Sequence, residues 1–381
     1  MKARTVGILG GGQLGAMLGE SLLHLSCEPL VLDPDAESPA LARLPHVQTA
    51  GYDDPEALKT LFGRCDVVTF DSENIPFAPL LPHAQKLVPS LEVLRISQNR
   101  GEEKAFLARH GFPHVKHEAV AAGEDLVAAA RAFGFPCIAK SSLGGYDGKG
   151  QFRLETDADL KQLPTEAKGG WVLEERLTLH TELSCIVARD GRGAELCFPV
   201  FENLHTHHIL DLTVVPARVP TTLEEEARAI ALEVARALKV EGLLTVEFFV
   251  GTGRAGARQL YVNELAPRTH NSGHVTRQAC TLSQFDALAR ILAGVPLTPP
   301  RLHPGAWCMG NLLGEVWLAQ GRTGGALDLS AWERFPDVVD VFLYGKHQAR
   351  PNRKMGHFVV RADAPERAME RARAFRAALS Q

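Results

Sequence analysis

The N-terminal stretch limits the architecture most sharply. An apolar run from Thr5 to Leu9 meets the turn GGGQLG, and an apolar-periodic stretch follows from Met17 to Leu25. A second apolar run, PLVLD, ends at Asp33, and a third, CDVVTFD, starts at Cys65. Strands that are apolar throughout are buried on both faces, and strands alternating with helices pair in parallel. The expectation is a small parallel α/β domain through about Pro89, its first helix opened by the glycine turn. Those glycines permit close approach of a ligand; they serve equally well as a helix-packing turn.

Beyond it the pattern changes. From about Leu91 to Leu292, strand-like PCIAK, WVLEER, TELSCIVAR and LLTVEFFV alternate with helical stretches. Thr222 followed by Glu225 reads as a capping box ahead of EARAIALEVARALKV, whose apolar residues recur at helical spacing and mark a scaffold helix. The segment PLTPP, residues 296–300, introduces a smaller final region with strand-like VDVFLYG and GHFVVRA. A chain of 381 residues exceeds one compact domain, and the expected division is 1–90, 91–292 and 293–381, of mixed α/β and α+β class.

Charge and cysteine usage exclude several classes. Lys and Arg number 41 against 45 Asp and Glu, so there is no global nucleic-acid or membrane footprint, although a local anion site is compatible with this balance. Seven cysteines (27, 65, 137, 185, 197, 280 and 308) are scattered without a CxxC pair, which favours a reduced compartment. The opening MKARTVGILGGGQLG lacks the apolar segment of a signal peptide, and no run reaches bilayer-spanning length, so a cytoplasmic location is expected.

Phosphate chemistry emerges at Lys140, which closes PCIAK just before SSLGGYDGKG. Backbone N–H groups of such a turn can envelop phosphoryl oxygens, with Lys140 and Lys149 offsetting their charge. The spacing is not GxxxxGK[ST], and an ordinary glycine-rich hairpin stays open. Tyr146 and Asp147 either orient this loop or cap a turn. The informative partner is TVEFFVGTGRAGARQLYVNELAPR, residues 245–268. Paired as a hairpin centred between Ala255 and Gly256, it sets Glu247 opposite Glu264. Facing strand residues have Cβ atoms about 5 Å apart, close enough for two carboxylates to hold Mg²⁺ against a polyphosphate. Surface salt bridges are the alternative, and the cationic glycine loop upstream argues against it.

Together GGGQLG, GGYDGKG, NELAPRTHNSGH and RPNRKMGH resemble the ATP-grasp enzymes over almost the full chain, and within them the 5-(carboxyamino)imidazole ribonucleotide synthetase family. The resemblance implies an ATP-grasp fold with an N-terminal parallel-sheet domain and a small C-terminal domain, acting as a homodimer. It implies Mg²⁺ and ATP as cofactors, with Arg100 and Lys140 on the phosphates and Lys104 a further contact. Gly145, Tyr146, Asp147, Gly148, Lys149 and Gly150 would form the ATP loop, Glu174 the adenine-side hinge, and Glu182 the ribose contact. Glu247 and Glu264 would hold Mg²⁺. Blander readings stand beside these: Glu174 satisfying a local basic partner, and Arg100 as a solvated charge at a helix start.

For the second half of the reaction the resemblance implies bicarbonate beside Arg268 and His270, with Asn271 as an additional orienter. Hydrogen bonds fixing a post-strand loop would explain the same residues. Lys346 would lie near the reacting anion and Arg353 or Lys354 near the substrate phosphate, although a charge run also suits a solvated face. Gly12, Gln13, Leu14 and Glu73 would receive 5-aminoimidazole ribonucleotide; Asp71 stands where glutamate is expected and is a poor catalytic candidate. His205, His207 and His208 lack a tetrahedral ligand set and are read as a polar loop. The implied chemistry is attack of bicarbonate on the γ-phosphoryl group, giving ADP and carboxyphosphate, then capture of released CO₂ by the exocyclic amine. Two other readings compete: another ATP-grasp ligase or formyltransferase of purine intermediates, and a nucleotide-cofactor oxidoreductase built on GGGQLG. The latter leaves the glutamate pair unexplained.

Overall fold

The computed structural model describes residues 4–145, 150–164, 169–254 and 256–380. Strands Thr5–Leu9, Glu28–Asp33, Val47–Thr49 and Val67–Phe70 form the expected parallel sheet, in spatial order 47–49, 28–33, 5–9, 67–70. The apolar runs have no polar face because both faces are covered. Val6 and Ile8 pack toward helix Gln13–His24, while Leu9, Leu32 and Val68 pack toward helix Pro55–Arg64. The first turn is tight: a Cβ on Gly15 would stand 2.0 Å from the Gly10 carbonyl oxygen. Gly15→Ala is therefore expected to destabilise the fold by roughly 1–3 kcal/mol, the usual scale of overpacking. A thermal unfolding curve matching that of the parent would show that the turn yields instead.

A second sheet, antiparallel, runs His117–Val120, Trp171–Glu175, Cys137–Ser141, Gln151–Leu154. Glu174 stands opposite Ile138 and Lys140 opposite Val172, so Lys140 and Glu174 are diagonal neighbours on one face.

The large central sheet has the path Arg258–Ala266, Gly242–Thr252, Thr178–Arg189, Phe201–Thr206, Ile209–Val215, Ala306–Leu313, Lys354–Ala362, Val338–Leu343. The final region thus adds its strands to the central sheet through the pairing of Ile209–Val215 with Ala306–Leu313. One face buries Leu183, Cys185, Val187, Leu244 and Val246 against helix Thr221–Ala237. The other buries Ile186, Ala188 and Leu243 with the N-terminal domain and helix Gln284–Ala293. Because side chains alternate with period two, Glu247 shares the face of Leu243, and Glu182 and Ser184 share that of Ile186. One face therefore passes from apolar core to polar site along the same strands.

The capping box does not form. Helix Thr221–Ala237 starts two residues earlier, with Pro220 as its N-cap and no side-chain capping bond, so Thr222 already lies inside it. Proline pre-sets the backbone angle of the entry, and its carbonyl accepts from Leu223 N and Glu224 N.

Candidate active site

A cleft of about 1010 Å³ opens where the N-terminal domain, the small antiparallel sheet and the polar end of the central sheet meet. Its cationic side is built on helix Arg100–Arg109, whose first turn is capped by Asn99 Oδ1 accepting from Gly101 N at 2.9 Å. Lys104 Nζ donates to the Asn263 carbonyl at 2.7 Å and lies 3.5 Å from Glu174 Oε1; Lys140 Nζ lies 2.5 Å from Glu174 Oε2. All three side chains are buried. Burial alone would raise the Glu174 carboxyl, but Lys104 and Lys140 override it and hold the group at about 2. Lys140 is also held below its ordinary range by burial, against the opposing pull of Glu174 and with the Arg100 and Lys104 charges adding to the burial effect. One carboxylate among three cations leaves the cluster short of negative charge.

Glu174 is thus the counter-ion of two lysines, and it lines the cleft beside them. The neighbouring Glu175, Arg176 and Leu177 line the cleft. Arg100 reaches the glycine loop, with Nη2 donating to the Gly145 carbonyl at 3.1 Å. Gly150 has φ +71°, and its carbonyl accepts from Ser141 N at 2.8 Å, closing the loop onto the strand end. Tyr146, Asp147, Gly148 and Lys149, assigned to the same loop, lie outside the described residues.

Glu247 and Glu264 stand opposite one another, as expected. A bulge brings them there. Nearer the turn Phe248 pairs with Val262, and that register continued without a bulge would pair Glu247 with Asn263; Asn263 is instead the extra residue. The extra residue re-aims Glu264 to the Glu247 face. His270 Nε2 lies 2.9 Å from Glu247 Oε1, and Arg100 Nη1 lies 3.4 Å from Glu264 Oε2. Burial pushes Glu247 up, while the His270 hydrogen bond, with His205 and Arg268, pulls it down to about 2. Among the described residues no group of three or more His, Cys, Asp or Glu could hold a metal. Two hard carboxylate oxygens beside an anion site fit Mg²⁺, which completes its shell with water and phosphate oxygens.

The opposite end of the cleft is polar and interlocked. Arg268 Nε donates to Glu73 Oε2 at 2.8 Å, joining the loop after Arg258–Ala266 to the N-terminal domain. Gln284 grips the His270 backbone twice, accepting from its N at 2.8 Å and donating to its O at 2.7 Å. Asn271 and Asn311 exchange reciprocal amide hydrogen bonds, so the Asn271 amide is tied to the central sheet. Glu182 lines the cleft with its carboxylate 3.0 Å from His205 Nδ1, and Gln13, Leu14 and Lys354 line it too. Lys346 Nζ donates to the Lys354 carbonyl at 2.8 Å, and burial, then Arg353 and Lys354, bring its ammonium down to about 8. Arg353 donates to the Gln348 carbonyl at 2.8 Å, which folds the basic loop on itself. His274 and His357, which sit in the motifs, are fully buried with ring centroids 4.8 Å apart and belong to the core.

The glycine turn is not a phosphate cradle. Gly10, Gly12 and Gly15 do carry the G-x-G-x-x-G spacing, so the hydrogen bonds must decide. Gly11 N donates to Asp33 Oδ2 at 2.5 Å and Gly15 N to Asp71 Oδ2 at 3.2 Å. These carboxylates occupy the donors that a pyrophosphate would need. Asp71 is pushed up to about 6 by burial first and by the Asp33 charge second. A residue missed by sequence reasoning is Glu103, which is buried on the cleft wall and accepts from Leu265 N at 2.8 Å. Burial and the Glu264 charge raise it to about 8 against Lys104. Its signal was present in the helical spacing of Arg100, Glu103, Lys104 and Leu107, which puts Glu103 on the inward stripe.

Three family models match the chain. Residues 2–98 match the ribonucleotide synthetase preATP-grasp domain, 105–285 the ATP-grasp domain, and 308–371 the phosphoribosylaminoimidazole carboxylase C-terminal domain. The chain is 36% identical over 361 residues to the N5-carboxyaminoimidazole ribonucleotide synthase of Bacillus subtilis, covering 93% of this chain and 90% of that one. It is 34% identical to the bifunctional purine synthesis protein purC/E of Dictyostelium discoideum, spanning 93% of this chain and 36% of that longer one. The ADP complex of the Staphylococcus aureus N5-carboxyaminoimidazole synthetase superposes with a TM-score of 0.87 at 33% identity, covering 99% of this chain and 98% of that one. The Aspergillus clavatus synthase in complex with ADP and 5-aminoimidazole ribonucleotide gives 0.84 at 29% identity, covering 99% and 98%.

Proposed function

The chain belongs to the N5-carboxyaminoimidazole ribonucleotide synthase family of ATP-grasp ligases, and from that membership we propose how its residues divide the work. The reaction is the ATP- and bicarbonate-dependent conversion of 5-aminoimidazole ribonucleotide to N5-carboxyaminoimidazole ribonucleotide, a step of purine biosynthesis. The observation that carries the division is the charge arrangement: three cations around one carboxylate on one wall, and two opposed carboxylates facing them.

Arg100, Lys104 and Lys140 hold the triphosphate, whose negative charge supplies what Glu174 alone does not. Bound Mg²⁺, held by Glu247 and Glu264, would neutralise charge between the phosphates. Arg268 and His270 orient bicarbonate so that one oxygen attacks the γ-phosphorus while the bond to ADP breaks. Glu73 fixes the Arg268 guanidinium for that task. Carboxyphosphate then releases CO₂ and phosphate. The exocyclic amine of the ribonucleotide captures the CO₂, forming a C–N bond and losing a proton. Gln13, Leu14 and Glu73 on the N-terminal domain, with Lys346, Arg353 and Lys354, receive the ribonucleotide.

Product analysis with Mg²⁺, ATP, bicarbonate or aminoimidazole ribonucleotide omitted in turn tests this reading; product formed without bicarbonate would overturn it. Lys346→Ala is expected to damage carboxylation about tenfold or more while leaving ATP affinity close to the parent value, since a charged hydrogen bond contributes roughly 1.5–3 kcal/mol. Equal product formation at saturating ATP would remove Lys346 from the substrate site. We also propose the division 1–90, 91–292 and 293–381 and a cytoplasmic homodimer. Seven free cysteines support the location, and sedimentation velocity reads the assembly.

A further inference from the structure

Behind His270 a file of buried hydrogen bonds crosses the central sheet. Thr213 Oγ1 donates to Asn203 Oδ1 at 3.0 Å, and Asn203 Nδ2 donates to Ser184 Oγ at 2.8 Å. Ser184 Oγ donates to Ser272 Oγ at 2.9 Å, and Ser272 Oγ lies 2.8 Å from His270 Nδ1. Strand register creates the file: Thr213 stands opposite Asn203, Asn203 opposite Glu182, and Ser184 opposite Glu247, all on the face that carries the site. Thr213, Asn203, Ser184 and Ser272 are all buried. Four polar side chains in a row at that depth are costly unless each is satisfied, and here each is.

The direction of the file has a chemical consequence. The backbone N–H of Ser272 can only donate, and it points at His270 Nδ1 at 3.3 Å. With the Ser272 hydroxyl beside it, Nδ1 is an acceptor, and the ring proton belongs on Nε2, the atom 2.9 Å from Glu247 Oε1. We propose that Ser272, Ser184 and Asn203 are positioning residues that hold His270 with its N–H on Nε2, directed into the cleft. The inference rests on the assignment of His270 to bicarbonate. In this structure that donor faces the Glu247 carboxylate, and a donor at Nε2 attracts an anionic oxygen of carboxylate or bicarbonate alike, whereas a lone pair there would repel either. His270 is thereby an orienting donor in the first chemical step and not the base that activates bicarbonate.

Nitrogen-15 spectra of histidine-labelled protein test this directly, with the His270 signals identified by their loss in His270→Gln. The parent should show Nδ1 as an unprotonated, hydrogen-bonded nitrogen and Nε2 as the protonated one. Ser272→Ala and Ser184→Ala should both shift the Nδ1 signal toward that of an unbonded nitrogen. Both should raise the KM for bicarbonate about tenfold, the scale of one hydrogen bond, with the KM for ATP unchanged. Ser184 touches neither the ring nor any substrate, so a purely structural role would lower its melting temperature without moving Nδ1. A proton on Nδ1 in the parent overturns the proposal. So do two variants that leave both the Nδ1 signal and the bicarbonate KM in place. The bicarbonate assignment fails separately, by an unchanged bicarbonate KM in His270→Gln, whatever the spectra show.

Discussion

Glu264→Gln is expected to leave the sheet standing and to lower turnover by on the order of 10²–10³-fold, the scale of removing one electrostatic contact made in a transition state. The two halves of that expectation have different causes. Glu264 is 44% exposed and its ion pair with Arg100 spans 3.4 Å, so losing the charge costs the fold about 0–1 kcal/mol. The strand pairing that places residue 264 opposite Glu247 is made by the backbone and survives the change. The expected loss of turnover rests instead on the proposed metal site, where an amide in place of one of two carboxylates halves the charge. Turnover at saturating substrates and limiting Mg²⁺, with a melting curve alongside, reads both halves. Equal turnover in variant and parent would remove Glu264 from the metal site; equal turnover loss at high Mg²⁺ would place its role in folding or in orienting Arg100.

How much of this was legible beforehand varies with the length scale of the interaction. The hairpin register was legible because alternation along two apolar runs fixes which residues face each other, yet it was correct only beyond the bulge. Near the turn Gly251 pairs with Gln259, and a single extra residue at Asn263 restores the Glu247 to Glu264 pairing. Nothing in the residue types of YVNEL announces a bulge. The capping box failed for the reverse reason: a local motif was present, but Pro220 had already started the helix. Glu174 shows the limit of spacing. Its partners, Lys104 and Lys140, come from a helix and a neighbouring strand, and only the folded chain joins three segments that the sequence keeps apart. His274 was likewise in the right motif, but it lies in the core.

That same three-segment cluster yields the second large effect, this time on stability. In Glu174→Gln, Lys104 and Lys140 remain buried without their counter-charge, and breaking a buried pair from one side costs about 3–5 kcal/mol. Lys140 limits the loss, because burial, Arg100 and Lys104 already hold it below the ordinary ammonium range and it sheds its proton more easily once Glu174 is neutral. The pH dependence identifies the cause. Glu174 is held at about 2 in the folded protein, against about 4.3 in an unfolded chain. A folded value below the unfolded one stabilises the protein above the unfolded pKa. That contribution is lost as pH falls from about 4.3 through 2, as the native carboxylate takes up its proton. The stability gap between parent and Glu174→Gln should therefore be full at pH 7 and shrink as the solution is acidified below about 4. Denaturant unfolding at pH 7 and pH 3 measures it, and a gap unchanged between the two would mean that shape, not charge, is what Glu174 contributes. Saturating ATP should narrow the gap at pH 7 as well, because the triphosphate brings to Lys104, Lys140 and Arg100 the negative charge that the substitution removed.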